Sequence, residues 1–200
     1  MKILVVGATG TIGSAIVRRL SGNHQIIAAG HSRGEVQVDI GERAAIEALF
    51  RKVGTVDAVI SAAGLAAFGS LEELSDDQFA LSLGNKLMGQ INLVRIGLSH
   101  VSDGGSFTLT SGILAQNPIP GSAAISTVNA GLEGFCRAAA LEMPRGIRIN
   151  VVSPGWIKET LEAMGQDGSA GVPADAVVSS YAMSLEGDQS GTVIAVPTTP

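Results

Sequence analysis

Short strand-like runs rich in apolar residues alternate along this chain with longer stretches whose apolar residues recur every three or four positions. The runs at 3–6, 25–29, 57–63, 106–111, 148–153 and 192–196 predict strands. A strand buried on both faces loses the apolar–polar alternation and reads as continuous apolar sequence. Between them, Ile12, Ile16 and Leu20 fall four apart and predict a helix over 11–20. Ile46, Leu49, Phe50 and Val53 do the same for 42–53, and Leu87, Ile91, Val94 and Leu98 for 86–100. Ser75 is placed to cap 76–83, with Asp76 and Asp77 in its first turn. An alanine-rich helix is expected over 123–142, and loops over 64–74 and 158–175. Strands alternating with helices of this length imply βαβ units. Right-handed crossovers then favour an α/β fold, a single doubly wound Rossmann-type parallel sheet with helices on both faces, over residues 1–200 as one domain.

Composition narrows this further. The 200 residues include 26 Gly, nearly double the usual share of about 7%, and only 4% are aromatic. Formal net charge is −5, so the basic footprint of a nucleic-acid binder is missing. The single cysteine, Cys136, cannot close an intramolecular disulfide, which fits a reducing, cytoplasmic setting. The apolar start 3–6 is too short for a signal-peptide core. Residues 104–132 carry no charge, but Asn117, Pro118, Pro120, Asn129 and several hydroxyls disqualify them as a membrane span. The three histidines are scattered, and no metal-ligand spacing occurs.

The first strand–helix turn carries the clearest chemistry. Gly7-Ala8-Thr9-Gly10-Thr11-Ile12-Gly13 follows a strand and opens a helix. Glycine there admits positive φ, lets backbone approach a pyrophosphate, and allows tight helix–strand packing at Gly13. The plainer alternative is a turn needing glycine for geometry alone. At the end of the second strand an NAD site has an acid for the ribose 2′-hydroxyl. Here the chain runs Gly30-His31-Ser32-Arg33, with no acid before Glu35. Ser32 and Arg33 suit a 2′-phosphate, with His31 as a loop donor, so NADP is favoured over NAD; otherwise the three form an ordinary solvated loop.

With these segments in order, the chain resembles the short-chain dehydrogenase/reductase family over nearly its whole length. Asp39-Ile40 looks like the family's pair at the adenine ring. Ser61-Ala62-Ala63-Gly64 looks like its Asn-Asn-Ala-Gly segment facing the adenosine ribose. Ser111 falls at the catalytic serine, and Leu132-Glu133-Gly134-Phe135 matches the long helix. Ile149-Asn150 and Pro154-Gly155 match its Asn-x-x-x-Pro-Gly strand end, after which backbone near Ile157 holds the nicotinamide carboxamide. Gly191-Thr192-Val193 resembles the final strand.

The resemblance implies a Tyr-x-x-x-Lys pair, and the chain departs from it. Alignment through Leu132-Glu133-Gly134 puts Ile125 and Asn129 at those positions. The only tyrosine is Tyr181, and the four lysines are Lys2, Lys52, Lys86 and Lys158. Lys86 falls at the position of the family's catalytic asparagine, beside Asn85. This suggests a Lys/Asn exchange, with Lys86 directed toward Asn129 and the nicotinamide ribose; the alternative is a surface lysine and an unrelated asparagine. Ser111 is either a hydrogen-bond partner for a substrate oxygen or a strand-end serine serving local backbone. Trp156 either covers the nicotinamide face or packs under its loop.

Two functions follow. One is an NADP-dependent oxidoreductase for a small carbonyl or alcohol, with an altered proton-transfer group formed from Ser111, Lys86 and Asn129. The other is a non-catalytic NADP(H)-binding sensor or scaffold. The short segment between Gly155 and the last strand implies an open site or a small ligand. The resemblance also implies a homodimer or homotetramer, paired through the helices at 86–100 and 123–142.

Overall fold

The computed structural model describes residues 1–196. Seven strands form one sheet: β1 (Lys2–Val6), β2 (Gln25–Gly30), β3 (Val36–Gln37), β4 (Val56–Ser61), β5 (Val101–Thr110), β6 (Arg148–Ser153) and β7 (Val193–Ala195). All pairings are parallel, and the spatial order is β3-β2-β1-β4-β5-β6-β7. The order reverses between β1 and β4, which opens a crevice beyond the strands' carboxyl ends.

Alternate residues of each strand serve the two faces. Leu4 and Val6 join Leu49, Phe50, Leu93, Phe107 and Leu132 in one core, under α2 (Arg43–Val53), α4 (Gly89–Gly97) and α5 (Ala123–Ala139). Ile3 and Val5 join Ile16, Leu20, Ile60 and Val177 in the other, under α1 (Thr11–Leu20) and α7 (Ala174–Glu186). Burial on both faces is why Ile3–Val6 of β1 is apolar throughout, while β5 and β6 bury polar side chains as well, Thr108, Thr110 and Asn150 among them.

Two helices are short: α3 (Asp76–Ser82), which starts on a capping box between Ser75 and Gln78, and α6 (Lys158–Ala163). The structure corrects several boundaries. The helix expected over 86–100 begins as a wide π-type segment, Leu83–Met88, which carries α3 without a break into α4. The strand expected to reach Ala63 stops at Ser61, and the helix expected to reach 142 stops at Ala139. Ser111 lies just past β5 rather than within it. The segment 158–175, expected as loop, holds α6 and the 3-10 turn Gly168–Ala170. No helix among the described residues is long and apolar enough to cross a membrane.

Candidate functional site

At the carboxyl end of β1 the chain turns sharply into α1. Gly7 sits at φ +84°, and a Cβ there would lie 2.5 Å from the Ala62 carbonyl oxygen. At Gly13 a Cβ would lie 2.0 Å from the Gly7 oxygen, so the helix packs on the turn only with glycine there. Gly10 caps α1 with extended backbone, and no side chain accepts from the first turn. The N–H groups of that turn and the positive end of the helix dipole therefore face the crevice, a fit for a pyrophosphate.

Two clefts meet along Ala62, Ala63 and Gly64. The first, about 350 Å³, is lined by Gly7, Thr9, Gly10, His31, Asp39 and Ile40, with Leu65 and Asn85. His31 Nε2 lies 3.5 Å from the Asp39 carboxylate. Asp39 also accepts from the Gly41 N–H at 2.8 Å and from Asn85 Nδ2 at 3.4 Å. Four of the expected cofactor residues lie outside both linings. Thr11 is exposed at the start of α1, Gly13 is packed beneath the turn, and Ser32 and Arg33 are exposed in the turn after β2.

The second cleft, about 320 Å³, brings together Ser111, Lys86 and Asn129 with Ile12, Pro154, Gly155 and Ile157. Ile125, Trp156 and Thr160 also line it. The wide turn at Leu83–Met88 divides its residues between the clefts. Asn85 faces the first, where it accepts from the Leu65 N–H at 2.8 Å, and Lys86 faces the second. Lys86 packs against Gly64 so closely that a Cβ at Gly64 would lie 2.7 Å from the Lys86 side chain. Burial pulls the Lys86 ammonium down to about 8, because a charged form is disfavoured away from water. Asn129 donates from Nδ2 to the Gly112 carbonyl at 3.4 Å, while its buried Oδ1 has no partner. Among the described residues no hydrogen bond joins Lys86 to Asn129; they share the lining only. An orphaned acceptor in the wall of a cleft suits a ligand hydroxyl.

Ser111 is held by its neighbour. Gln90, fully buried, accepts from the Thr110 N–H at 2.9 Å and donates to the Thr110 carbonyl at 3.0 Å. Thr110 Oγ1 donates to the Ser61 carbonyl at 2.6 Å and accepts from Tyr181 at 2.7 Å. The Ser111 N–H then bonds the Val152 carbonyl at 2.9 Å. Tyr181 is fully buried in the α1/α7 core, lines neither cleft, and has its phenol pushed above the usual value by burial.

One member of the site carries no local sequence signal for its role. Glu133 is buried in α5 and accepts from Ser111 Oγ at 3.1 Å and from Gln116 Nε2. Its place in the Leu132-Glu133-Gly134 segment marks a helix, but the approach to Ser111 is a tertiary event across 22 residues.

A family model described as enoyl-(acyl carrier protein) reductase matches residues 11–188. The crystal structure of the protein lin1944 from Listeria innocua is 42% identical, with a TM-score of 0.94, covering 98% of this chain and 100% of that one. An uncharacterized oxidoreductase of Methylorubrum extorquens is 26% identical over 178 residues, covering 77% of this chain and 72% of that protein. A tetrahydroxynaphthalene reductase of Pestalotiopsis fici is 33% identical over 129 residues, covering 62% of this chain. The chain spans about half (47%) of that reductase's length. A solved structure of a small-chain dehydrogenase is 25% identical with a TM-score of 0.85, covering 98% of this chain and 95% of that one. Matched by that family model across most of its length, and folded as these proteins are, the chain belongs to the short-chain dehydrogenase/reductase family.

Proposed function

We propose that this chain, as one dinucleotide-binding domain over residues 1–200, is an NADP-dependent oxidoreductase. Its substrate is a small carbonyl or alcohol, and its proton-transfer group is not tyrosine. The observation that carries the reading is the pair of clefts joined at Ala62–Gly64. One holds the uncapped amino end of α1, and the other gathers Ser111, Lys86 and Asn129.

A bound nicotinamide dinucleotide supplies hydride chemistry, and the protein orients and polarises. Gly7, Thr9, Gly10, Thr11, Ile12 and Gly13 form the turn that takes the pyrophosphate. Asp39 and Ile40 border the adenine, and Ala62, Ala63 and Gly64 the ribose beyond it. Pro154, Gly155 and Ile157 flank the nicotinamide. Lys86 sets positive charge beside the second ribose and the reacting oxygen, and the free Oδ1 of Asn129 accepts from a ribose hydroxyl. His31, Ser32 and Arg33 lie on the exposed turn where a 2′-phosphate is met. One charge-assisted hydrogen bond there is worth about 1.5–3 kcal/mol, roughly 10- to 150-fold in favour of NADP. The lone buried thiol of Cys136 suits the cytoplasm. The hollow between α4 and α5, where Val94, Leu98 and Phe135 lie with Arg95 and Glu142, suits pairing into a homodimer or homotetramer.

Trp156 is the single tryptophan and lines the second cleft, so it reports occupancy directly. Titration with NADPH should quench its fluorescence at lower concentration than NADH does. Tighter NADH binding would overturn the 2′-phosphate assignment, and no quenching by either would overturn the cofactor site. Turnover is then sought with a panel of small carbonyls and alcohols.

A further inference from the structure

We propose that Ser111 and Glu133 form a proton relay that takes the hydroxyl proton of an alcohol substrate. The proposal rests on the oxidoreductase reading and narrows it to a hydroxyl-bearing substrate in the form the cleft receives.

A serine hydroxyl carries one proton. Here that proton is donated to Glu133 Oε1 at 3.1 Å, and Glu133 lines neither cleft. The lone pairs of Ser111 Oγ remain for a ligand. They complement an O–H donor, whereas a carbonyl oxygen would meet an acceptor. Glu133 is 4% exposed, and its other oxygen is held by Gln116. The charged group facing it is Arg137, one turn further along α5 with Nη1 at 4.0 Å. Breaking the Ser111 contact would remove one of the few partners of a buried carboxylate, so the donor direction is fixed by the burial of Glu133.

The step moves a proton and no electrons. The substrate O–H bond breaks as a new O–H bond forms on Ser111 Oγ. The former Ser111 proton passes to Glu133 Oε1, and the substrate oxygen keeps its electron pair beside the Lys86 ammonium. Reversal delivers a proton from the acid form of Glu133 through Ser111 to an alkoxide. Positioned proton transfer typically contributes 10²–10⁴-fold. Ser111 touches the substrate and is catalytic; Glu133 acts through it.

The test compares wild type, Glu133→Gln, Glu133→Asp and Ser111→Ala. NADPH affinity, read by Trp156 quenching, should stay within about twofold in all four. Calorimetry on the protein loaded with NADP should show wild type binding cyclohexanol more tightly than cyclohexanone, with the preference lost in Glu133→Gln. In steady-state oxidation of the best alcohol of the panel, kcat should fall at least about 100-fold in Glu133→Gln. Glu133→Asp should restore part of it. If Glu133→Gln does not fold, Ser111→Ala carries the same expectations for kcat and for the alcohol preference. Retention of kcat within threefold in the variant, or no alcohol preference in wild type, overturns the relay. Wild type that binds NADPH but turns over no alcohol overturns it too, and leaves the cofactor site standing. Absence of NADPH binding removes the reading beneath it.

Discussion

Lys86 sets a charge where water is scarce, and that has a measurable consequence. Its ammonium titrates near 8 in the folded chain and near 10.5 when unfolded. Between those values the unfolded state binds more protons, so stability rises with pH across that window. The penalty of the buried charge is fully present below about 8 and gone above 10.5. We therefore expect the stability of wild type relative to Lys86→Met to improve between pH 7.5 and pH 10, by urea unfolding of both proteins; a constant difference would mean that the amine is solvated. Two residues buried elsewhere in the chain carry the opposite lesson. Tyr181, the sole phenol of the chain, ties α7 to β5 from the far side of the sheet and takes no part in the cleft. Cys136 is buried, and burial pushes its thiol up to about 12, so it packs as a small apolar side chain.

The turn from β1 into α1 shows how a single methyl decides an element. A Cβ at Gly13 would overlap the Gly7 carbonyl at 2.0 Å, and backbone cannot yield as a flexible side chain does. Gly13→Ala should cost about 1–3 kcal/mol, as overpacking does, and should weaken NADPH binding by displacing the first turn of α1. Thermal unfolding and Trp156 quenching check the two effects, and an unaltered melting temperature would refute the first. This turn was legible from sequence because the glycine spacing and the apolar run before it are both local. The first strand was legible because two buried faces leave Ile3–Val6 apolar throughout. The π-type segment at Leu83–Met88 was not, since no period sets it apart from the helices on either side and the packing of Lys86 on Gly64 is a contact between residues distant in sequence. β3 has two residues and no period to read, and α6 hides in a Gly- and Ala-rich stretch. Ser111, Lys86 and Asn129 line one cleft, whereas Glu133 is legible in sequence only as part of a helix, because its contact with Ser111 exists only after α5 docks on β5.

Across the whole molecule the site belongs to no single element. β1, β2, β4, β5, β6, α1, α5 and the α3–α4 junction all end at the joined clefts, so a ligand there bridges both halves of the sheet. A ligand that binds only the folded state stabilises it by RT ln(1 + [L]/Kd), about 2.7 kcal/mol at 100 times Kd. For a chain of this size that is about 5–11 °C in melting temperature. NADPH at such a concentration should produce a shift in this range by scanning calorimetry, and NADH at the same concentration a smaller one; equal shifts would deny discrimination at the 2′ position. The wide turn that splits Asn85 from Lys86 has a further meaning for how such a protein diversifies. A helical residue advances about 100° around the axis. Losing one codon from Leu83–Met88 would restore an ordinary helix and rotate each residue before the gap relative to those after it. The charge would then swing away from the cleft it lines with no side chain replaced, so that a reading-frame-preserving deletion here is a route to altering this site that no substitution reproduces.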